Sequence, residues 1–72
     1  MACFVYLLSC RGDTLYCGWT TDLAARLAQH KAGRGGRYTR SRLPVQMVYS
    51  EELPDAPSAR RREAAIKQMS RT

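Results

Sequence analysis

Several things are scarce in this chain, and each scarcity removes a class of protein. No stretch approaches the roughly 20 apolar residues of a membrane-spanning helix, and no long basic amphipathic helix is present, so a membrane partner is not expected. Cys3 to Cys10 is too short for a secretory signal and lacks a basic start, which points to a cytoplasmic protein. There are only three cysteines, Cys3, Cys10 and Cys17, an odd number spaced evenly and far from the single histidine, His30. Zinc sites want paired close ligands, so these thiols are expected to be reduced apolar fillers in or beside strands, as a reducing compartment favours. Acidic residues are also few: six Asp and Glu face twelve Lys and Arg, leaving a net charge of +6. An excess of that size on so small a body attracts polyanions, and nucleic acid is the first candidate. The same charge would also serve solubility alone.

With 72 residues the chain forms a single domain over 1–72, able to hide only roughly 60% of its unfolded surface, so its core must be thin and any substrate held on the surface. Residues 3–10 are β-branched, aromatic and apolar on both faces, which suits a central strand covered on two sides. Arg11-Gly12-Asp13 supplies turn residues and Thr14 to Trp19 returns, making a hairpin. Thr20 and Thr21 can accept from free amides at a helix start, Asp22 suits its first turn, and Leu23 to Lys31 follows until Gly33 ends it. Arg34 to Arg42 lacks an apolar period and reads as an exposed loop. Pro44 opens a third strand over Val45 to Glu51, and a last helix begins near Pro57 and runs to about Met69. The expected fold is α/β: a three-stranded, partly antiparallel sheet, made of the N-terminal hairpin plus a third strand, flanked by helices.

Candidate chemistry sits on these elements. Arg26 and His30 lie four residues apart at the rim of the stripe marked by Leu23 and Leu27, where they could equally be a snorkelling arginine and a helix-end histidine. Glu63 projects close to Ala59, Ile66 and Ser70, the stripe expected to face the sheet, and an inward carboxylate needs a partner or a metal. Lys67, one turn on, is the ordinary partner. Four arginines fall between Arg34 and Arg42, where Gly35 and Gly36 let backbone come close to a phosphate and Tyr38 can stack on a base. Tyr6 and Tyr16 share a face if the hairpin loop has three residues and oppose each other if it has two. The residues leave that choice open.

In order and spacing, Val5-Tyr6-Leu7, Leu15-Tyr16-Cys17-Gly18-Trp19-Thr20, the helix from Asp22 to His30 and Arg62-Glu63-Ala64-Ala65-Ile66-Lys67 together resemble the GIY-YIG nuclease superfamily, and its small stand-alone bacterial members in particular. The resemblance implies metal-dependent hydrolysis of phosphodiesters in DNA, with branched or single-stranded forms and RNA left open as substrates and a repair complex as a protein partner. It implies Tyr6, Tyr16, Arg26, His30 and Glu63 as catalytic residues, with Glu63 holding one Mg²⁺ or Mn²⁺. Gly18, Arg34, Arg37, Tyr38, Arg40, Arg42 and Lys67 are the expected nucleic-acid contacts. Tyr6 is assigned as general base, Arg26 as stabiliser of phosphate charge, His30 as a proton relay or a group orienting Tyr16, and Tyr16 as the residue positioning water. The alternatives are a non-catalytic nucleic-acid-binding module and a protein-interaction domain. This sequence departs from the pattern: Phe4-Val5 replaces Gly-Ile, Cys17 replaces an aliphatic, and Trp19 stands where some members carry lysine. It ends nine residues after Glu63 without a later asparagine, so the extreme C-terminal part of the pattern is expected to be missing.

Overall fold

The structure, a computed structural model, describes residues 2–69, apart from the side chains of Arg37 and Tyr38; Ser70 lies outside the described residues. Strands β1 (Cys3–Cys10), β2 (Thr14–Thr20) and β3 (Gln46–Leu53) form one sheet in the order β2-β1-β3. Helices α1 (Leu23–Lys31), α2 (Arg37–Arg40) and α3 (Ala56–Met69) complete the chain. β1 pairs antiparallel with both neighbours, so the sheet is antiparallel throughout.

β1 occupies the centre because it alone is apolar on both sides, and its alternation divides the core in two. Cys3, Val5 and Leu7 face α3, where they meet Cys17, Trp19, Leu53, Ala56, Ala59 and Ile66. Tyr6, Leu8 and Cys10 face α1, where they meet Tyr16, Leu23, Leu27, Leu43, Val45 and Met47. The result is three layers, with α1 and α3 on opposite faces of the sheet. Val5 and Leu8 are fully buried, each contributing roughly 1.5–3 kcal/mol of hydrophobic stabilisation.

The hairpin register decides what the two tyrosines share. Cys10 pairs with Thr14, leaving the three-residue loop Arg11-Gly12-Asp13, with Gly12 at φ 83 and Asp13 at φ 58. Glycine takes such angles freely and aspartate tolerates them. Tyr6 then lies opposite Gly18 and Leu8 opposite Tyr16, which puts both tyrosines on the α1 face.

Four local expectations change. Asp22 is the cap of α1, its side chain accepting from the Ala25 amide at 3.1 Å, while Thr20 closes a small turn with Asp22 instead of capping. Asp55 does the same for α3, accepting from the Ser58 amide at 2.8 Å, so that helix starts before Pro57. The segment from Arg34 to Arg42 is not a plain exposed loop: it contains the turn α2 and buries Thr39 completely. β3 also runs on to Leu53, two residues beyond the expected Glu51.

Candidate active site

Tyr6 is almost fully buried in the middle of the sheet, and its ring lies across Gly18 of the edge strand. A Cβ built on Gly18 would stand 2.6 Å from the Tyr6 hydroxyl and 2.8 Å from its Cζ. The space left by the missing side chain is therefore filled by Tyr6 itself. This corrects Gly18 as a nucleic-acid contact: it is buried, and the close approach it permits is intramolecular.

His30 lies where both tyrosines meet α1. Its ring centroid is 5.8 Å from that of Tyr6 and 5.3 Å from that of Tyr16, and the two tyrosine centroids are 6.4 Å apart. His30 is completely buried, not at a rim, and its Nε2 is 3.0 Å from the Tyr6 hydroxyl. His30 thus makes a hydrogen bond to Tyr6 and a ring contact with Tyr16. Its Nδ1 lies 2.8 Å from Thr39 Oγ1.

Two groups here escaped the sequence reading. Thr39 is a lone hydroxyl inside an arginine-rich run, and no period marks it as buried. Gly35 was expected to admit a phosphate, yet its backbone lies against His30, such that a Cβ there would be 2.2 Å from Nδ1. The only sequence signal was the pair of adjacent glycines, which marks a close approach without naming its partner.

Charge reaches Tyr6 from both helical layers. Burial raises the Tyr6 phenol to about 12, Tyr16 and Glu63 push it the same way, and Arg26 opposes them. Arg26 on α1 and Glu63 on α3 thus both act on one hydroxyl from opposite sides of the sheet. Arg26 is half-buried and makes no ion pair among the described residues, which leaves its guanidinium available to an anion. Glu63 keeps 21% of its side chain exposed and touches Lys67 Nζ only at 3.6 Å. Cys17 Sγ approaches the Glu63 carbonyl at 4.0 Å, tying α3 to β2 where the carboxylate emerges. Burial pushes the Cys10 and Cys17 thiols up, as inert fillers require.

No cluster of three or more His, Cys, Asp or Glu is present among the described residues. The donor set is instead one partly exposed carboxylate, that of Glu63. That set fits Mg²⁺, which keeps most of its waters and binds through one or two carboxylates.

Of the expected nucleic-acid contacts, Arg34 and Arg40 are exposed, Arg42 is half-buried beside Ser41, and Lys67 is exposed next to Glu63. The side chains of Arg37 and Tyr38 lie outside the described part. Arg62 turns away to Glu51 at 2.6 Å, and Arg60 lies 6.0 Å over the ring of Trp19.

Burial and the nearby Arg26 charge hold His30 below its ordinary value. The native state therefore favours neutral imidazole, while the unfolded chain takes up a proton below about 6.5. The resulting stability is fully present above that value and is lost as pH falls from about 6.5 through the lower folded value. Thermal midpoints measured from pH 8 down to pH 5 should decline over that window. In His30→Gln the decline there should vanish; an unchanged slope would mean that other groups cause it.

A family model described as the GIY-YIG catalytic domain matches residues 2–72. A UPF0213 protein of Streptococcus sanguinis is 48% identical over 68 residues, covering 94% of this chain and 78% of the relative. One from Natronomonas pharaonis is 47% identical over 68 residues, covering 94% of this chain and 80% of the relative. The solution NMR structure of a UPF0213 protein from Bacillus halodurans matches with a TM-score of 0.60 at 38% identity, covering 99% of this chain and 76% of that one.

Proposed function

This chain belongs to the GIY-YIG catalytic domain family, and from that premise we propose that it is a divalent-metal-dependent endonuclease hydrolysing phosphodiester bonds in DNA. The observation that carries the proposal is the cluster of Tyr6, Tyr16 and His30 on one face of the sheet, with ring centroids 5.3, 5.8 and 6.4 Å apart and the Tyr6 hydroxyl 3.0 Å from His30 Nε2, within the electrostatic reach of Arg26 and Glu63. A buried structural tyrosine needs one hydrogen-bond partner, which His30 alone would supply, but not a second tyrosine, a cation and a carboxylate around it.

In this reading Tyr6 is the general base, positioned by His30 and by the gap at Gly18. Arg26 binds the scissile phosphate and stabilises the charge that builds on it, a task suited to a permanently charged, doubly donating group. Tyr16, on the same face and half-buried, orients the attacking water. Glu63 would hold one Mg²⁺ or Mn²⁺, which supplies polarisation of the phosphate and offsets the carboxylate charge that raises Tyr6. Arg34, Arg37, Tyr38, Arg40, Arg42 and Lys67 hold the nucleic-acid backbone. So few contacts fit a thin domain that recognises the shape of branched or single-stranded DNA over its sequence. Three buried thiols with no disulfide among the described residues support a reducing, cytoplasmic setting.

The test is incubation of labelled duplex, flapped and branched DNA with Mg²⁺ or Mn²⁺. Cleavage products that disappear with EDTA are expected. The net charge of +6 favours one alternative, a non-catalytic binding module. Salt-sensitive binding to every substrate without any cutting would establish that module and end the enzymatic reading.

A further inference from the structure

His30 and Thr39 are the two buried polar side chains among the described residues, and they are bonded to each other. Burying polar groups is costly unless each donor and acceptor is used, so the proton count of this pair can be worked through. Thr39 Oγ1 has one proton. It lies 3.5 Å from the Gly36 carbonyl, which can only accept and which has a lone pair left after taking the Arg40 amide at 3.0 Å. If the hydroxyl donates to Gly36, its oxygen can only accept from His30, so Nδ1 must carry the ring proton. In a neutral imidazole Nε2 is then bare, and at 3.0 Å it accepts from the Tyr6 hydroxyl. The opposite tautomer would spend the Thr39 proton on Nδ1, forgo the Gly36 bond, and turn Nε2–H toward Tyr6. One arrangement satisfies one more hydrogen bond than the other.

In the reading of Tyr6 as general base, the difference reaches its hydroxyl. With its proton turned inward to Nε2, the phenol oxygen offers lone pairs to the substrate side; with Nε2–H pointing at it, the phenol offers its proton instead. We propose that Thr39 is a positioning residue whose hydroxyl locks His30 as the Nδ1–H tautomer, so that Tyr6 presents an acceptor and not a donor to the substrate. Gly35 completes the device by laying its backbone on the ring and excluding solvent. The consequence for Tyr6 rests on its reading as general base, whereas the tautomer itself does not. The arginine-rich segment therefore has a second task beside any contact with nucleic acid: it delivers the group that orients the histidine.

His30 is the sole histidine, so its ring nitrogens are unambiguous in a long-range ¹H–¹⁵N correlation spectrum of labelled protein. The native chain should show protonated Nδ1 and bare Nε2 at pH 8. Thr39→Val, of the same shape without the hydroxyl, should lose that preference, and Thr39→Ser should restore it. In single-turnover cleavage Thr39→Val should lower the rate on the order of 10- to 100-fold, part of what general-base catalysis contributes, with the half-saturating DNA concentration little changed. Protonated Nε2 in the native chain overturns the proposal, as does an unaltered spectrum in Thr39→Val. Should Thr39→Val not fold, the native and Thr39→Ser spectra still decide. A native chain that cuts nothing but shows the Nδ1–H ring defeats the nuclease reading and leaves the tautomer assignment standing.

Discussion

Glu63→Gln should reduce cleavage by about 10²–10³-fold or more, the scale of removing one electrostatic partner of a reacting phosphate. The substitution keeps the shape of the side chain and removes the charge. DNA affinity should hold, because the proposed DNA contacts Arg34, Arg40, Arg42 and Lys67 are left in place. Stability should hold as well. Glu63 is part-exposed, and its contact with Lys67 is a loose pair at 3.6 Å on a largely exposed lysine, worth at most about 0.3–0.5 kcal/mol. On a domain of this size that corresponds to a thermal midpoint lowered by no more than about 4 °C. Single-turnover cleavage, DNA titration and thermal melting of one preparation separate the three quantities. Cleavage at the native rate would remove Glu63 from the site, and a large fall in the midpoint would make it a structural residue.

The second large effect is on folding. In Gly35→Ala the new methyl would stand 2.2 Å from His30 Nδ1, 2.5 Å from Cγ and 2.6 Å from Cε1. The ring cannot move aside cheaply, since Tyr6 holds one nitrogen and Thr39 the other. Overpacking of this kind costs about 1–3 kcal/mol, which lowers the midpoint by roughly 4–24 °C in so small a domain. The backbone of Gly35, unlike that of Gly33 at φ 79, is not in the left-handed region, so the clash with the ring is the source of the cost. That attribution can be checked with a double-mutant cycle. Gly35→Ala combined with His30→Ala should be less destabilised than the two single changes summed. Strict additivity, or a native-like midpoint in Gly35→Ala, would mean that the segment does not pack on His30.

Much of the molecule is legible locally. The two-faced apolar run of β1 announces a central strand, and Leu23 with Leu27 announces α1, because strand and helix periods reflect burial over a few neighbouring residues. The stripe holding Ala59 and Ile66 announces that Glu63 lies near the sheet. The helix caps were less legible, since Thr20, Thr21 and Asp22 all have a side chain able to accept at that terminus, and the backbone path chooses among them.

The sequence by itself determined the three strands, the two long helices, their order and the excess of positive charge, since these depend on composition and on periods of two and 3.6. Only the tertiary structure decided what Tyr6 touches. The three-residue loop at Arg11 to Asp13 set the parity that brings Tyr6 and Tyr16 to one face; a register slip of one residue would have separated them. Packing of α1 and α2 then buried His30 between Tyr6 and Thr39, a contact spanning 24 residues on one side and nine on the other. No short-range pattern encodes such a bond, because it exists only where distant segments bury one another's polar atoms and must pair them.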